Sequence, residues 1–214
     1  MALVTTNDKH YADIAAAIRS KNGEQTKYKP EQMAAAIKNI SGGGGGGGSN
    51  ETETALIERT LTSYSNPDIT KIGAYAFYRY ERLKSISVPR AEQIETYGLN
   101  QAGIETADLS ACKTLQYGAM QLTSCTKIDM MGGGSIAGAA ISDSKLDTLI
   151  IRAEKITYLQ VRDAFANTPI ASGTGYIYVP KSLVEQYKAA TNWVVYAAQI
   201  RAIEDYPEIT GGAK

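Results

Sequence analysis

Ile86-Ser87-Val88, Ala107-Asp108-Leu109, Ile128-Asp129-Met130 and Leu149-Ile150-Ile151 are four versions of one three-residue mark, and they begin at 86, 107, 128 and 149, 21 residues apart each time. A second mark precedes each of them: Ile72 with Ala76-Phe77, Ile94 with Gly98-Leu99, Leu115 with Ala119-Met120, and Ile136 with Ala140-Ile141. A fixed period in the twenties is the signature of a solenoid. Its short strand and return segment cannot bury an apolar face until a neighbouring coil stacks on it. The pattern predicts a β-rich solenoid of about five coils within residues 51–179.

Downstream of the marks the last coil lengthens. Ala164-Phe165 echoes Ala76-Phe77, and Ile177-Tyr178-Val179 begins 28 residues after Leu149. Met130-Met131-Gly132-Gly133-Gly134 falls where a return turn belongs, and the period survives it, so a loosened coil is expected there. Pro180 opens a predicted helix that sets Leu183, Val184, Tyr187 and Ala190 against the end of the stack, and Trp193, Ala197 and Ile200 extend the cover. An open stack exposes a raw sheet edge, which a terminal cap protects. Residues 180–214 are therefore read as a helical cap and tail, with Trp193 an anchor and Glu208 to Lys214 frayed.

Upstream, Leu56, Ile57, Leu61 and Tyr64 give residues 51–67 a strand-like character before the Asn66-Pro67-Asp68 turn. Ser41, seven glycines from Gly42 to Gly48, Ser49 and Asn50 form a flexible tether over 41–50, with a span of ~17–19 Å. A phosphate-cradling glycine loop would need a flanking strand, a helix and a Lys-Ser/Thr pair that this stretch lacks. Residues 1–40 read as a helical hairpin. Tyr11, Ile14, Ala15 and Ile18 share one helical face, Asn22-Gly23 supplies a stop, and Pro30-Glu31 starts a second helix carrying Met33, Ile37 and Ile40. So small a unit needs help to be stable, which makes Tyr11, Ile14, Ile18, Met33, Ile37 and Ile40 candidate attachment or oligomerisation residues. The predicted fold class is α+β: hairpin, glycine linker, β-rich solenoid and helical cap.

Among 214 residues, 22 basic and 22 acidic side chains cancel. Binding by phosphate neutralisation needs a basic excess, so a nucleic-acid partner is not expected. No apolar run approaches the ~20 residues that cross a bilayer, and the N-terminus does not read as a signal peptide. A soluble chain without membrane insertion is expected. Cys112 and Cys125 sit in similar contexts, Ser-Ala-Cys-Lys-Thr-Leu and Thr-Ser-Cys-Thr-Lys-Ile. Their positions in successive coils neither demand nor forbid a bridge, and buried free thiols are expected.

Catalysis is not expected. His10 is the sole histidine, and no nucleophile elbow, Cys-x-x-Cys pair or calcium loop is present. No metal or cofactor is implied. Asp108 and Asp129 occupy one position in adjacent coils, ~4.8 Å apart by strand spacing, which would suit one cation, a pair of sugar hydroxyls or carboxylate-pair glycoside hydrolysis. The alternative is two solvated side chains splaying apart. Side chains alternate along a strand, so Ser87, Asp108, Asp129, Ile150 and Tyr178 are expected to point outward, beside a second column of Ser85, Thr106, Lys127 and Thr148. This strip is the candidate binding face for a glycan or a protein.

Asn66-Pro-Asp-Ile-Thr-Lys-Ile-Gly-Ala-Tyr-Ala-Phe77 and Leu83-Lys-Ser-Ile-Ser-Val-Pro89 resemble the BspA-like leucine-rich repeats, whose usual form runs Ile-Gly, Ala-Phe, Cys-x-x-Leu and an apolar strand closed by Pro. Leu122-Thr-Ser-Cys125-Thr-Lys-Ile128 is similar to the Cys-x-x-Leu step. Gly98-Leu99 and Ala119-Met120 replace Ala-Phe in the middle coils, and no Pro follows Leu109 or Met130. Tyr178-Val-Pro-Lys-Ser-Leu-Val-Glu-Gln-Tyr-Lys-Ala-Ala-Thr-Asn-Trp193 looks like that family's C-terminal cap. Tyr11 to Gly23 and Tyr28 to Ile37 are similar to a short N-terminal module of phage and prophage structural proteins. These resemblances imply a leucine-rich-repeat domain displayed on a virion as a tail, baseplate or head fibre or decoration. The hairpin would bind virion proteins or itself, in a homo-oligomer such as a trimer, and the repeat face a host-surface glycan or protein. A bacterial surface adhesin built from the same repeats is the alternative.

Overall fold

Short parallel strands, each paired with the strand one sequence period away, make the frame. The computed structural model describes residues 59–210, nearly all of them in a unit that begins at Thr62. The expected hairpin, the glycine tether, residues 51–58 and residues 211–214 lie outside the described residues.

In chain order the strands are β1 (Ser63–Ser65), β2 (Lys71–Ile72), β3 (Ser85–Ser87), β4 (Gln93–Ile94), β5 (Thr106–Asp108) and β6 (Thr114–Leu115). They continue as β7 (Lys127–Met130), β8 (Ser135–Ile136), β9 (Thr148–Ile151), β10 (Tyr158–Leu159), β11 (Tyr176–Val179) and β12 (Ile200–Ala202). The even strands β2 to β10 form one parallel sheet in sequence order. On the other side, β1-β3-β5 form a three-stranded sheet and β7-β9-β11-β12 a four-stranded one, joined by a single bridge between Leu109 and Met130. Ile86 pairs with Ala107 and Ile128 with Leu149, so the 21-residue sequence period is the strand register itself.

The core follows from the marks. Ile72, Ile94, Leu115, Ile136 and Leu159 point inward from the even strands, and Ile86, Ile128, Leu149 and Ile177 meet them from the opposite side, all essentially buried. A strand of two or three residues has no stability alone. Stacking supplies it, by burying one apolar side chain per strand in a shared interior.

The turns are laddered as the strands are. After each of β2, β4, β6 and β8 come two left-handed residues four apart: Tyr75 and Arg79, Tyr97 and Gln101, Gly118 and Leu122, Ala139 and Asp143. Their backbone N–H groups donate to the next circuit, Tyr75 to Thr96, Tyr97 to Tyr117 and Gly118 to Gly138. Buried backbone donors must be paired, and this repeated geometry pairs them. The glycines at 132–134 mark close approach, where slack was expected. A Cβ on Gly134 would lie 2.4 Å from Thr114 Oγ1 and 2.6 Å from the Lys113 carbonyl. Gly132 donates its N–H to the Cys112 carbonyl, and Gly133 to Thr157 Oγ1.

Two short helices, α1 (Pro169–Ser172) and α2 (Val184–Ala189), and several 3₁₀ turns close the C-terminal end. Trp193 is the anchor the sequence predicts: its indole N–H donates to the Thr157 carbonyl at 2.8 Å, and its ring packs edge-to-face against Tyr187 and tilted against Phe165. Tyr187 accepts the Thr157 N–H at 2.8 Å through its phenol oxygen, so the cap satisfies both backbone groups of Thr157, just ahead of β10. Ile200 does not continue helical cover. It starts β12, which pairs with β11 through Ile177, 23 residues away, and so adds one more strand to the stack. The architecture is α+β, dominated by parallel sheets.

Candidate functional site

The outward face of β1, β3 and β5 presents two straight columns. Ser63, Ser85 and Thr106 are in register, as are Ser65, Ser87 and Asp108. Parallel strands stand ~4.8 Å apart, so five hydroxyls and a carboxylate form a regular polar grid. Ser87 donates to Asp108 Oδ2 at 3.3 Å, and the Ser110 N–H reaches Oδ1 at 3.4 Å, which holds the carboxylate against the sheet. Ser63, Ser65, Thr106 and Asp108 are exposed, and Ser85 and Ser87 half-buried. These groups offer hydrogen bonds without any change of backbone.

The same face continues over β7, β9, β11 and β12 with different character. Lys127 pairs with Thr148 and Thr148 with Tyr176; beside them Asp129, Ile150, Tyr178 and Arg201 form the second column. Asp129 and Thr148 are half-buried and Lys127 is exposed, but Ile150 and Tyr178, expected on the open strip, are 0% and 6% exposed. The reason is the C-terminal segment, which docks here where a frayed tail was expected. The Tyr206 ring lies 5.4 Å from that of Tyr178, and its hydroxyl accepts from Arg201 Nη1 at 2.9 Å. A 3₁₀ turn, Pro207–Thr210, follows, and Lys127 Nζ donates to the carbonyl of Ile209. A segment that runs from β11 and β12 to β7 has to cross β9, where Ile150 sits. Burial lifts the Tyr178 phenol above its ordinary range.

Asp108 and Asp129 are committed differently. Arg152 grips Asp129 with both ends of its guanidinium, Nε to Oδ1 and Nη2 to Oδ2, each at 2.6 Å. The pairing raises Arg152 above its ordinary value and ties up the Asp129 carboxylate. Asp108 keeps only its serine and backbone donors. Among the described residues, no three His, Cys, Asp or Glu side chains gather as a metal site, and no helix is long and apolar enough to cross a membrane.

A second surface lies in the turns, outside the strand marks. After the even strands, Tyr75, Tyr97 and Tyr117 form a ladder with ring centroids 5.3 and 5.5 Å apart, and Tyr78 joins it 5.7 Å from Tyr75. Tyr75 and Tyr117 are about half exposed. The signal was present, since tyrosine recurs at 75, 97 and 117 in steps of 22 and 20. Beside the ladder, Glu95 accepts from Lys71 at 2.8 Å and from the Ala74 N–H at 3.0 Å, which holds its carboxyl low. A polar chain runs through the same turns. Asn100 donates to Gln121 at 3.0 Å, Gln121 to Asp143 at 3.2 Å, and Asn167 to Asp143 at 2.7 Å.

Both cysteines are buried and unpaired, as expected. Burial pushes the Cys112 thiol up to about 12 and the Cys125 thiol to about 11, which leaves them unreactive. No protein-family model and no curated protein matches the chain.

Proposed function

We propose that this chain is a non-enzymatic structural protein of a bacteriophage particle, which displays a leucine-rich-repeat domain for binding the host surface or another protein. In this reading residues 51–179 are a solenoid of about five BspA-like coils, closed by the cap at 180–214. The hairpin at 1–40 attaches to virion proteins or to further copies, and the tether at 41–50 gives the domain its reach. The virion assignment is supported by the resemblance of Tyr11 to Ile37 to phage structural modules. The binding role is supported by one observation above all: Ser63, Ser85 and Thr106 beside Ser65, Ser87 and Asp108, in register on a frame of paired strands. Such an array meets a hydroxyl-rich glycan or a polar loop without reorganising, and so avoids the ordering cost that weakens flexible sites.

The test has two arms. Antibody labelling of purified particles is expected to find the chain on the virion. Fluorescently labelled protein is expected to decorate Gram-positive cells, and Ser87→Arg with Thr106→Arg to abolish decoration while leaving the melting temperature within a few degrees. A chain found free in the host cell and absent from particles refutes the virion assignment. Unchanged decoration by the double variant refutes the polar grid as the binding face.

A further inference from the structure

We propose that the face over β7, β9, β11 and β12 is a peptide-docking surface. Residues 206–210 of the chain occupy it as a ligand in cis, exchangeable for a peptide of the same chemistry: an aromatic residue, then an acid, then an aliphatic one. This goes beyond the polar grid, which lies on other strands.

The chain is pinned immediately before the segment. The Lys181 N–H donates to Glu204 at 2.9 Å, and Lys181 Nζ pairs with Asp205 at 2.9 Å. From Tyr206 onward the contacts are of a different kind, each to a separate strand. Tyr178 on β11 meets the aromatic ring, and Arg201 on β12 lies 4.0 Å from the Tyr176 ring centroid and 5.5 Å from that of Tyr206. Lys127 on β7 takes the Ile209 carbonyl. An aromatic slot built from two tyrosines and a guanidinium, with a lysine at the far end, recognises a tyrosine and donates a hydrogen bond to a backbone carbonyl. Two cationic groups, Arg201 and Lys127, contact Tyr206 and Ile209, the residues on either side of Pro207 and Glu208 in the chain, so charge favours an acidic residue between them. The surface beneath does not need the segment to exist. β7, β9, β11 and β12 are paired with one another through their own backbone hydrogen bonds. The sheet therefore stays formed when the segment lifts, and leaves Ile150 and Tyr178 uncovered.

The experiment uses a chain ending at Asp205 and a fluorescent synthetic peptide, Tyr-Pro-Glu-Ile-Thr-Gly-Gly-Ala-Lys, equivalent to residues 206–214. Anisotropy is expected to show saturable binding to the shortened chain. Binding to the full chain should be about tenfold weaker or more, because only molecules with the segment lifted compete. Lys127→Ala and Tyr178→Ala in the shortened chain should each weaken binding several-fold, and a scrambled peptide should not bind. A shortened chain that keeps its circular dichroism and melting transition yet ignores the peptide overturns the proposal. So does equal binding by the full chain. If the shortened chain does not fold, hydrogen exchange on the intact protein decides. Amides of 208–210 exchanging well before those of β9 and β11 support a releasable segment, and exchange of both as one unit overturns it.

Discussion

The two halves of the odd-strand face share one register and one backbone pattern, yet one is open to solvent and the other is covered. Over β1, β3 and β5 the outward positions hold serine, threonine and aspartate. Over β7, β9 and β11 the equivalent positions bring in Ile150 and Tyr178, and the chain returns from its far end to cover them. Strand pairing sets which way a side chain points, but not what it meets there. An isoleucine at an outward position leaves apolar area in water unless something lies across it, at about 25 cal/mol for each Å². A hydroxyl makes no such demand.

The distinction can be broken most directly by truncation. Ile150→Ala is expected to lose about 2–5 kcal/mol of stability, as a fully buried residue does, whereas Ser87→Ala stays within about 0.5 kcal/mol. Urea denaturation of the two variants checks this, and equal losses would show that the cover over Ile150 contributes nothing. A second expectation concerns the interior that both halves share. Cys112 lies in the circuit of β5 and Cys125 immediately before β7, and both thiols are held neutral by burial. A raised folded value stabilises fully below the unfolded-state value near ~8.5, and that contribution is lost as pH rises toward the folded values of about 12 and about 11. Melting temperature should therefore fall between pH 8.5 and 10.5, less so in Cys112→Ala with Cys125→Ala. Iodoacetamide at pH 8 should leave both thiols unmodified until the protein unfolds.

Asp129→Ala and Asp108→Ala sharpen the comparison at smaller scale. The Asp129–Arg152 pair is bidentate but about one-third exposed, so after solvent screening its loss is expected to cost about 1 kcal/mol, and that of Asp108 close to nothing. Raising the salt concentration should narrow the gap. The smallest effect lies outside both halves. Asn167 and Gln121 hold the Asp143 carboxyl below its ordinary range, so its contribution is present above about pH 4 and lost as pH falls further. Asp143→Asn should flatten the acid limb of a stability–pH curve slightly.

What the sequence made legible was whatever repeats at the period: the strand register, the inward apolar marks, the buried thiols and Trp193 at the closing end. What it concealed lies between repeats or against them. The contact of Lys127 with Ile209 joins residues 82 apart, far outside the period, and nothing local announces it. Ile150 and Tyr178 did carry a signal, since an apolar residue among polar outward neighbours implies cover. The period alone assigned them to the open strip. β12 was hidden by a 23-residue step and by apolar neighbours that also suit a helix. The tyrosine ladder sits in turn positions, where left-handed backbone breaks the alternation of a strand.

Those turns also bear on heat tolerance. Most left-handed positions along the rim carry full side chains, and each costs roughly 1–2 kcal/mol relative to an unstrained residue. At Leu122, which is half exposed, glycine would remove strain and give up little packing. The rim is thus a reserve from which the melting point can be raised turn by turn. Because it lies apart from the outward strand face, thermal hardening and ligand choice are separable properties of this molecule.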